Sequence, residues 1–194
     1  DEPWLASPTS LASVSDQEQL LLGMPYNYEV TYRVVNDFGY GPLYSDEQVI
    51  STGEIPSGMS VPDDVSGDPD QWNAETPYIL TSINQPGYYL DGIWWVMIID
   101  RAGRPVWARQ TDSWYNSMHP RLSHDETALF IDYNAHYGQF DYDLSYIVKM
   151  KIDGTVLETY DTPGMHHDYT DTADGSLLWG AFDGSDETLR RINP

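Results

Sequence analysis

The residues of this chain that are best suited to catalysis form the run Gly164-Met165-His166-His167-Asp168. Neutral imidazole is a nucleophile near neutral pH, and an adjacent carboxylate holds one imidazole tautomer. His166 and His167 are therefore candidate catalytic residues, with Asp168 as the orienting partner. A structural role, in which a histidine fixes the local backbone by a hydrogen bond, is the main alternative. Because adjacent side chains on a strand point to opposite faces, we expect no metal site here unless a β-bulge intervenes.

Three further residues are candidates for the same chemistry. His119 corresponds to His166 in an internal repeat of the sequence, described below, and is a fourth candidate catalytic residue. Arg109 and Arg121 are candidate substrate-binding residues, because a guanidinium donates hydrogen bonds to an anionic group. The alternative for both arginines is an ion pair with one of the abundant aspartates.

An internal repeat positions these residues. One copy covers 93–131 and the other 146–179, with Gly103 matching Gly154 and His119 matching His166, 51 and 47 residues further on. Each copy is predicted to form a strand, an Asp/Gly-type turn, a strand, a His-containing loop, a strand, a turn and a last strand. A period of about 45 to 50 residues with several short strands is typical of a β-propeller. A third copy begins at 188–194.

The segment before the repeat has a different pattern. Apolar and aromatic residues alternate from Tyr26 to Val34, which predicts a half-buried strand, and a turn-rich loop at 36–42 leads into a second strand at 43–51. We expect an antiparallel hairpin within 21–56, after an irregular lead-in at 1–20. Residues 57–77 are predicted to be an acidic linker, followed by propeller blades at 78–194.

The linker contains a weak calcium pattern. Asp64, Ser66, Asp68 and Asp70 alternate as hard oxygen ligands would in a calcium loop. The spacing lacks the glycine and the terminal glutamate of an EF-hand, so a solvated acidic linker is the preferred interpretation. We expect no cofactor beyond this weak possibility of calcium.

The charge of the chain excludes several classes of partner. Its 194 residues include 31 acidic and 9 basic ones, a net charge of −22, which repels nucleic acid and anionic membranes. There is no apolar run of about 18 residues, so we expect no membrane insertion. The absence of cysteine excludes thiolate chemistry. Abundant Asp with scarce Lys suits a secreted, extracellular or periplasmic protein, from a saline or marine habitat or of an ordinary acidic kind.

Two resemblances to known families follow from these segments. The hairpin, with Leu22 six residues before Tyr28, resembles the end of a fibronectin type III domain and its tyrosine corner. The segment 99–107 and the His166 segment resemble runs in the bacterial arylsulfotransferase family, which joins a β-sandwich to a six-bladed propeller. This second resemblance implies sulfuryl transfer from a phenolic sulfate to a phenol through a transiently sulfated histidine. In that family the sulfated histidine lies in a later blade.

The sequence therefore predicts an all-β protein, with a partial fibronectin-like sandwich hairpin followed by the first blades of a β-propeller. Two blades cannot close a ring, so we expect a fragment of a longer protein, closure by other chains, or a sandwich of the same strands. The alternative to the sulfotransferase function is a non-catalytic extracellular protein that binds or self-assembles. Exposed β edges would then favour a homo-oligomer.

Overall fold

The computed structural model describes residues 21–37, 39–68, 71, 76–84, 93–112, 114–135 and 142–193. The predicted lead-in 1–20 and Asp70 of the calcium pattern lie outside these residues. The described part is all-β, as predicted, with one 3₁₀ helix at Tyr142–Leu144. No helix within it is long and apolar enough to cross a membrane.

The strands are β1 Glu29–Tyr32, β2 Val35–Asp37, β3 Pro42–Tyr44, β4 Gln48–Ser51, β5 Ile79–Asn84, β6 Trp94–Ile99, β7 Pro105–Gln110, β8 Arg121–Leu122, β9 Leu129–Tyr133, β10 Tyr146–Met150, β11 Val156–Asp161, β12 Met165–Asp171, β13 Leu177–Phe182 and β14 Glu187–Ile192.

Three antiparallel sheets account for β5 to β14. Their strand orders are β5-β6-β7, β11-β10-β9-β8 and β12-β13-β14, so each sheet is a meander of sequential strands. Tight turns join β6 to β7, β10 to β11 and β12 to β13, and the glycines in these turns, Gly103, Gly154 and Gly175, have positive φ, which glycine adopts without steric cost. Among the described residues, these sheets do not close into a barrel.

The core lies on both faces of the four-stranded sheet. All five residues of β9 are buried. Leu129 and Ile131 pack with Val96 of β6, whereas Phe130 packs with Met165 and Trp179 of the last sheet. Because successive side chains of a strand alternate between faces, one strand contributes to two separate apolar layers. The four-stranded sheet therefore lies between the other two.

The segment before the core forms two short ladders. β1 pairs with β4 and β2 pairs with β3, both antiparallel, as expected for a hairpin. The predicted alternation holds in β1, where Val30 and Tyr32 are partly buried between exposed residues. The apolar side chains of β2 to β4 are exposed, with Val49 at 63% and Leu43 at 63%.

The sequence repeat is distributed over neighbouring sheets. The copy 93–131 supplies β6 to β9, and the copy 146–179 supplies β10 to β13. Arg121 donates a hydrogen bond to Asp168, and the His124 N–H donates one to Asp171; both pairs are 47 residues apart. This is the spacing between His119 and His166. Corresponding positions of the two copies therefore contact each other.

Candidate functional site

A large β-bulge sets the geometry of the two adjacent histidines. The ladder between β12 and β13 is interrupted after Met165 and resumes at Tyr169, so the three residues 166–168 oppose Gly180 alone. A Cβ on Gly180 would lie 3.1 Å from the carbonyl oxygen of His166, so the absence of a side chain at Gly180 leaves room for the bulged backbone. The structure thus places the histidines inside strand β12, where the sequence predicts a loop.

The bulge brings both imidazoles to the same place. His167 has φ 72°, a left-handed conformation that is costly for a residue with a Cβ. The His166 and His167 ring centroids are 3.6 Å apart. A regular strand would have sent them to opposite faces. The structure therefore meets the condition under which the two side chains can share a ligand.

A carboxylate from another strand completes the cluster. Glu187, at the start of β14, has Oε1 3.6 Å from Nδ1 of His166. One ligand atom each from His166, His167 and Glu187 lies within 4.8 Å of the other two. We call these three residues the His-His-Glu cluster. Among the described residues, it is the one group of three or more such side chains that is so arranged.

The surroundings of His166 favour its neutral imidazole. His166 is mostly buried, with 15% of its side chain exposed. Burial is the main reason that the pKa of His166 falls below its usual 6.5; the neighbouring His167 lowers it further, and Glu187 opposes both. Neutral imidazole is the form that binds a metal ion or attacks an electrophile.

The cluster lies beside an open depression of about 580 Å³. Its apolar lining includes Leu178 and Leu189, from β13 and β14, and Leu189 is 73% exposed. Asp168 and Glu187 are its acidic lining residues, and no Lys or Arg of the described chain lines it. The charges around the depression therefore favour a cation more than an anion.

Asp168 has a different partner from the one expected. Its Oδ1 accepts hydrogen bonds from Nη2 of Arg121 at 2.5 Å and from the Tyr169 N–H at 2.8 Å. The guanidinium of Arg121 also lies over the Tyr169 ring, 4.7 Å from its centroid. Arg121 thus forms the ion pair that the sequence offered as the alternative to anion binding. Glu187, and not Asp168, is the carboxylate next to His166.

The other two predicted site residues have separate surroundings. The His119 N–H donates to Oδ1 of Asp132, a fully buried carboxylate that also accepts from Ser117 and Met118. Burial raises the pKa of Asp132 above its usual value, against the effect of these hydrogen bonds. Nε of Arg109 donates to the Tyr133 hydroxyl at 3.3 Å. Neither His119 nor Arg109 lines the depression.

Sequence reasoning missed Glu187 and Gly180. Neither residue belongs to the His-His-Asp run, and both reach the site only through strand pairing across β13. The single available signal was Gly180 within an otherwise apolar strand, since an isolated strand glycine often marks a bulge or a close backbone approach.

Comparison of the chain with family models, with curated proteins and with solved structures finds no match. The resemblance to arylsulfotransferases therefore stands on the sequence motifs alone.

Proposed function

We propose that this protein binds a divalent transition-metal ion at the His-His-Glu cluster. The observation that carries this proposal is the mutual approach of two imidazoles and one carboxylate to within 4.8 Å. Two nitrogen ligands and one oxygen ligand suit Zn²⁺ and its neighbours Cu²⁺, Ni²⁺ and Co²⁺.

The distances fit a metal ion after small side-chain rotations. A tetrahedral ion with bonds of about 2.1 Å needs its ligand atoms about 3.4 Å apart. The separation of 3.6 Å between Nδ1 of His166 and Oε1 of Glu187 is already close to this value. Rotation about the χ angles of His167 and Glu187, both exposed, would have to bring the remaining ligand atoms, which lie within 4.8 Å of one another, to this separation.

The electrostatics support a cation at this position. Metal ligation needs neutral imidazole, and the lowered pKa of His166 supplies it at neutral pH. Glu187 contributes a negative charge directly, and the net charge of −22 attracts cations from a distance. The left-handed His167 costs about 1–2 kcal/mol, and a bound ion would offset this cost.

Calorimetric titration of the full chain with Zn²⁺, at neutral pH, tests the proposal. We expect one site, with Mg²⁺ binding far more weakly because it prefers oxygen ligands. His167→Ala and Glu187→Gln should each weaken Zn²⁺ binding by more than the roughly 10–100-fold lost with an outer-shell partner. His124→Ala, at an exposed histidine outside the cluster, is the matched control. Unchanged affinity in both cluster variants would contradict the proposal.

We also propose a second candidate function, sulfuryl transfer between phenols through His166. The supporting observation is a mostly buried histidine of lowered pKa whose Nδ1 lies 3.6 Å from Oε1 of Glu187. Attack by Nε2 on a phenolic sulfate would form an S–N bond and release the phenolate. A second phenol would then attack the sulfur, the S–N bond would break to regenerate the imidazole, and the proton of that phenol would pass to the released phenolate.

Turnover of p-nitrophenyl sulfate with varied phenol acceptors separates the two candidates. Sulfuryl transfer through His166 should be lost in His166→Ala, and a chelator should leave it unchanged or increase it. Absence of turnover with every acceptor, together with Zn²⁺ binding, leaves metal binding as the function.

A further inference from the structure

The metal-loaded cluster has room for a ligand that the protein does not supply. Three protein ligands leave at least one coordination position open on a zinc-like ion. The depression beside the cluster has a volume of about 580 Å³ and is open, so a bound molecule would keep part of its surface in solvent. The chemistry of that depression defines what the ligand is.

The charge of the loaded site is positive. A divalent ion with Glu187 gives a local charge of +1, because both imidazoles are neutral ligands. Asp168 adds nothing to this sum, since Arg121 is ion-paired with it at 2.5 Å. The loaded site therefore complements a monoanion, although the apo depression favours cations.

An apolar surface lies next to the His-His-Glu cluster on the same face of the sheet. Phe182 pairs with Glu187, and Gly180 pairs with Leu189, so Leu189 follows Glu187 two residues along the same face of the sheet. Two residues of a strand span about 7 Å. Leu178, two residues before Gly180, lies on the same face and also lines the depression.

The bulged backbone of 166–168 lies over Gly180, where a Cβ would be 3.1 Å from the His166 carbonyl oxygen. A planar group on the metal would therefore extend along β14 from Glu187 to Leu189, over about 7 Å, and not across Gly180. A benzoate-sized molecule spans a comparable distance.

We infer that the metal-loaded His-His-Glu cluster binds a small apolar carboxylate, with the carboxylate on the metal and the apolar group on Leu178 and Leu189. This inference rests on the proposed metal-binding function. It assigns the anion-binding role to the metal ion, because Arg121 is already paired with Asp168. The monoanionic charge favours a carboxylate over a phosphate dianion.

The test uses the full chain loaded with Co²⁺, whose visible spectrum reports a change in its ligands. Benzoate should alter the spectrum and bind at least tenfold more tightly than acetate, which has no apolar ring. Benzamide, the uncharged analogue, should not bind. Leu189→Ser should weaken benzoate binding about fivefold while leaving Co²⁺ affinity unchanged, and Leu157→Ser, at an exposed leucine of β11, is the control.

The outcomes distinguish metal binding from carboxylate recognition. Absence of Co²⁺ and Zn²⁺ binding overturns the proposed function. Normal metal binding without a benzoate response overturns only the carboxylate inference. Equal binding of benzoate to the metal-free chain, or equal affinity for benzoate and acetate, also overturns it, because the metal or the leucines would then have no part in recognition.

Discussion

At the residue scale, His167 has a backbone conformation that costs stability and a side-chain position that suits ligand binding. Its φ of 72° is adopted readily by glycine and seldom by residues with a Cβ. Strained residues of this kind persist where the surrounding structure holds them, and they concentrate at functional sites. The same conformation turns the His167 ring towards His166. The cost in stability and the geometry of the cluster therefore come from one residue.

His167→Gly should stabilise the apo protein by about 1 kcal/mol, because glycine removes the left-handed strain. The same variant should lose Zn²⁺ binding. Urea unfolding in the presence of a chelator measures the first effect. Thr170→Gly, in the same strand without a positive φ, is the control and should destabilise the protein instead. A less stable His167→Gly protein would show that φ 72° is not strained.

The lowered pKa of His166 has a consequence for acid stability. Its folded pKa is below the usual 6.5, so the unfolded chain binds the proton more readily. The stability that neutral His166 contributes is fully present above pH 6.5. It is lost as the pH falls from 6.5 through the lower pKa of the folded state. Urea unfolding at pH 7.5 and pH 5 should show a smaller loss for His166→Gln than for the unaltered chain. An equal loss in both proteins would contradict the lowered pKa.

At the element scale, the bulge depends on glycines that flank it. Gly164, just before β12, has φ 74°, and a Cβ there would lie 2.7 Å from the Phe182 carbonyl oxygen. Its own carbonyl accepts the Phe182 N–H at 2.7 Å. Gly180 leaves space on the opposite strand for the backbone of 166–168. The two glycines allow β12 to approach β13 closely while its ladder is interrupted.

Gly164→Ala should therefore lower the free energy of unfolding by about 2 kcal/mol or more, since the left-handed conformation alone costs about 1–2 kcal/mol. The backbone clash with Phe182 adds to this cost. Gly53→Ala is the matched control, because a Cβ at that position would have no atom within 4 Å and its φ is not positive. Chemical denaturation of both variants measures the difference, and equal stability would argue against a tight approach at Gly164.

At the scale of the whole molecule, stacked sheets and a large negative charge act in opposite directions. Three sheets bury apolar side chains in layers on both faces of β9. The corresponding positions of the sequence repeat join neighbouring sheets, through Arg121 to Asp168 and through His124 to Asp171. The net charge of −22 opposes this compact arrangement by self-repulsion.

Salt should therefore stabilise the protein. Raising NaCl from about 50 mM to about 1 M shortens the Debye length to about 3 Å and screens the repulsion between carboxylates. We expect the thermal unfolding midpoint to rise by several degrees. Sucrose of matched osmolality separates this effect from general exclusion, and a midpoint that falls with NaCl would mean that attractive ion pairs such as Arg121–Asp168 outweigh the repulsion.

The order of residues is enough to predict most of the strands and turns. Alternation predicted the first hairpin, and the repeat with its Gly-containing turns predicted the region of β6 to β13, apart from the loop expected at His166 and His167, which lie in β12. The type of residue also identified His166 and His167 as the most reactive pair. These features are local, so the order of residues is sufficient to reveal them.

The chemical possibilities of the two histidines depend on contacts between strands that are far apart in sequence. Strand pairing placed Glu187 beside His166, and the bulge opposite Gly180 turned His167 to the same side. Contact between neighbouring sheets placed Arg121 against Asp168, and the pairing of β8 with β9 placed His119 against Asp132. Strand register and the stacking of sheets set these contacts, and a register shift of one residue would send every side chain to the other face. Residue types therefore gave the candidates, and strand register selected the partners.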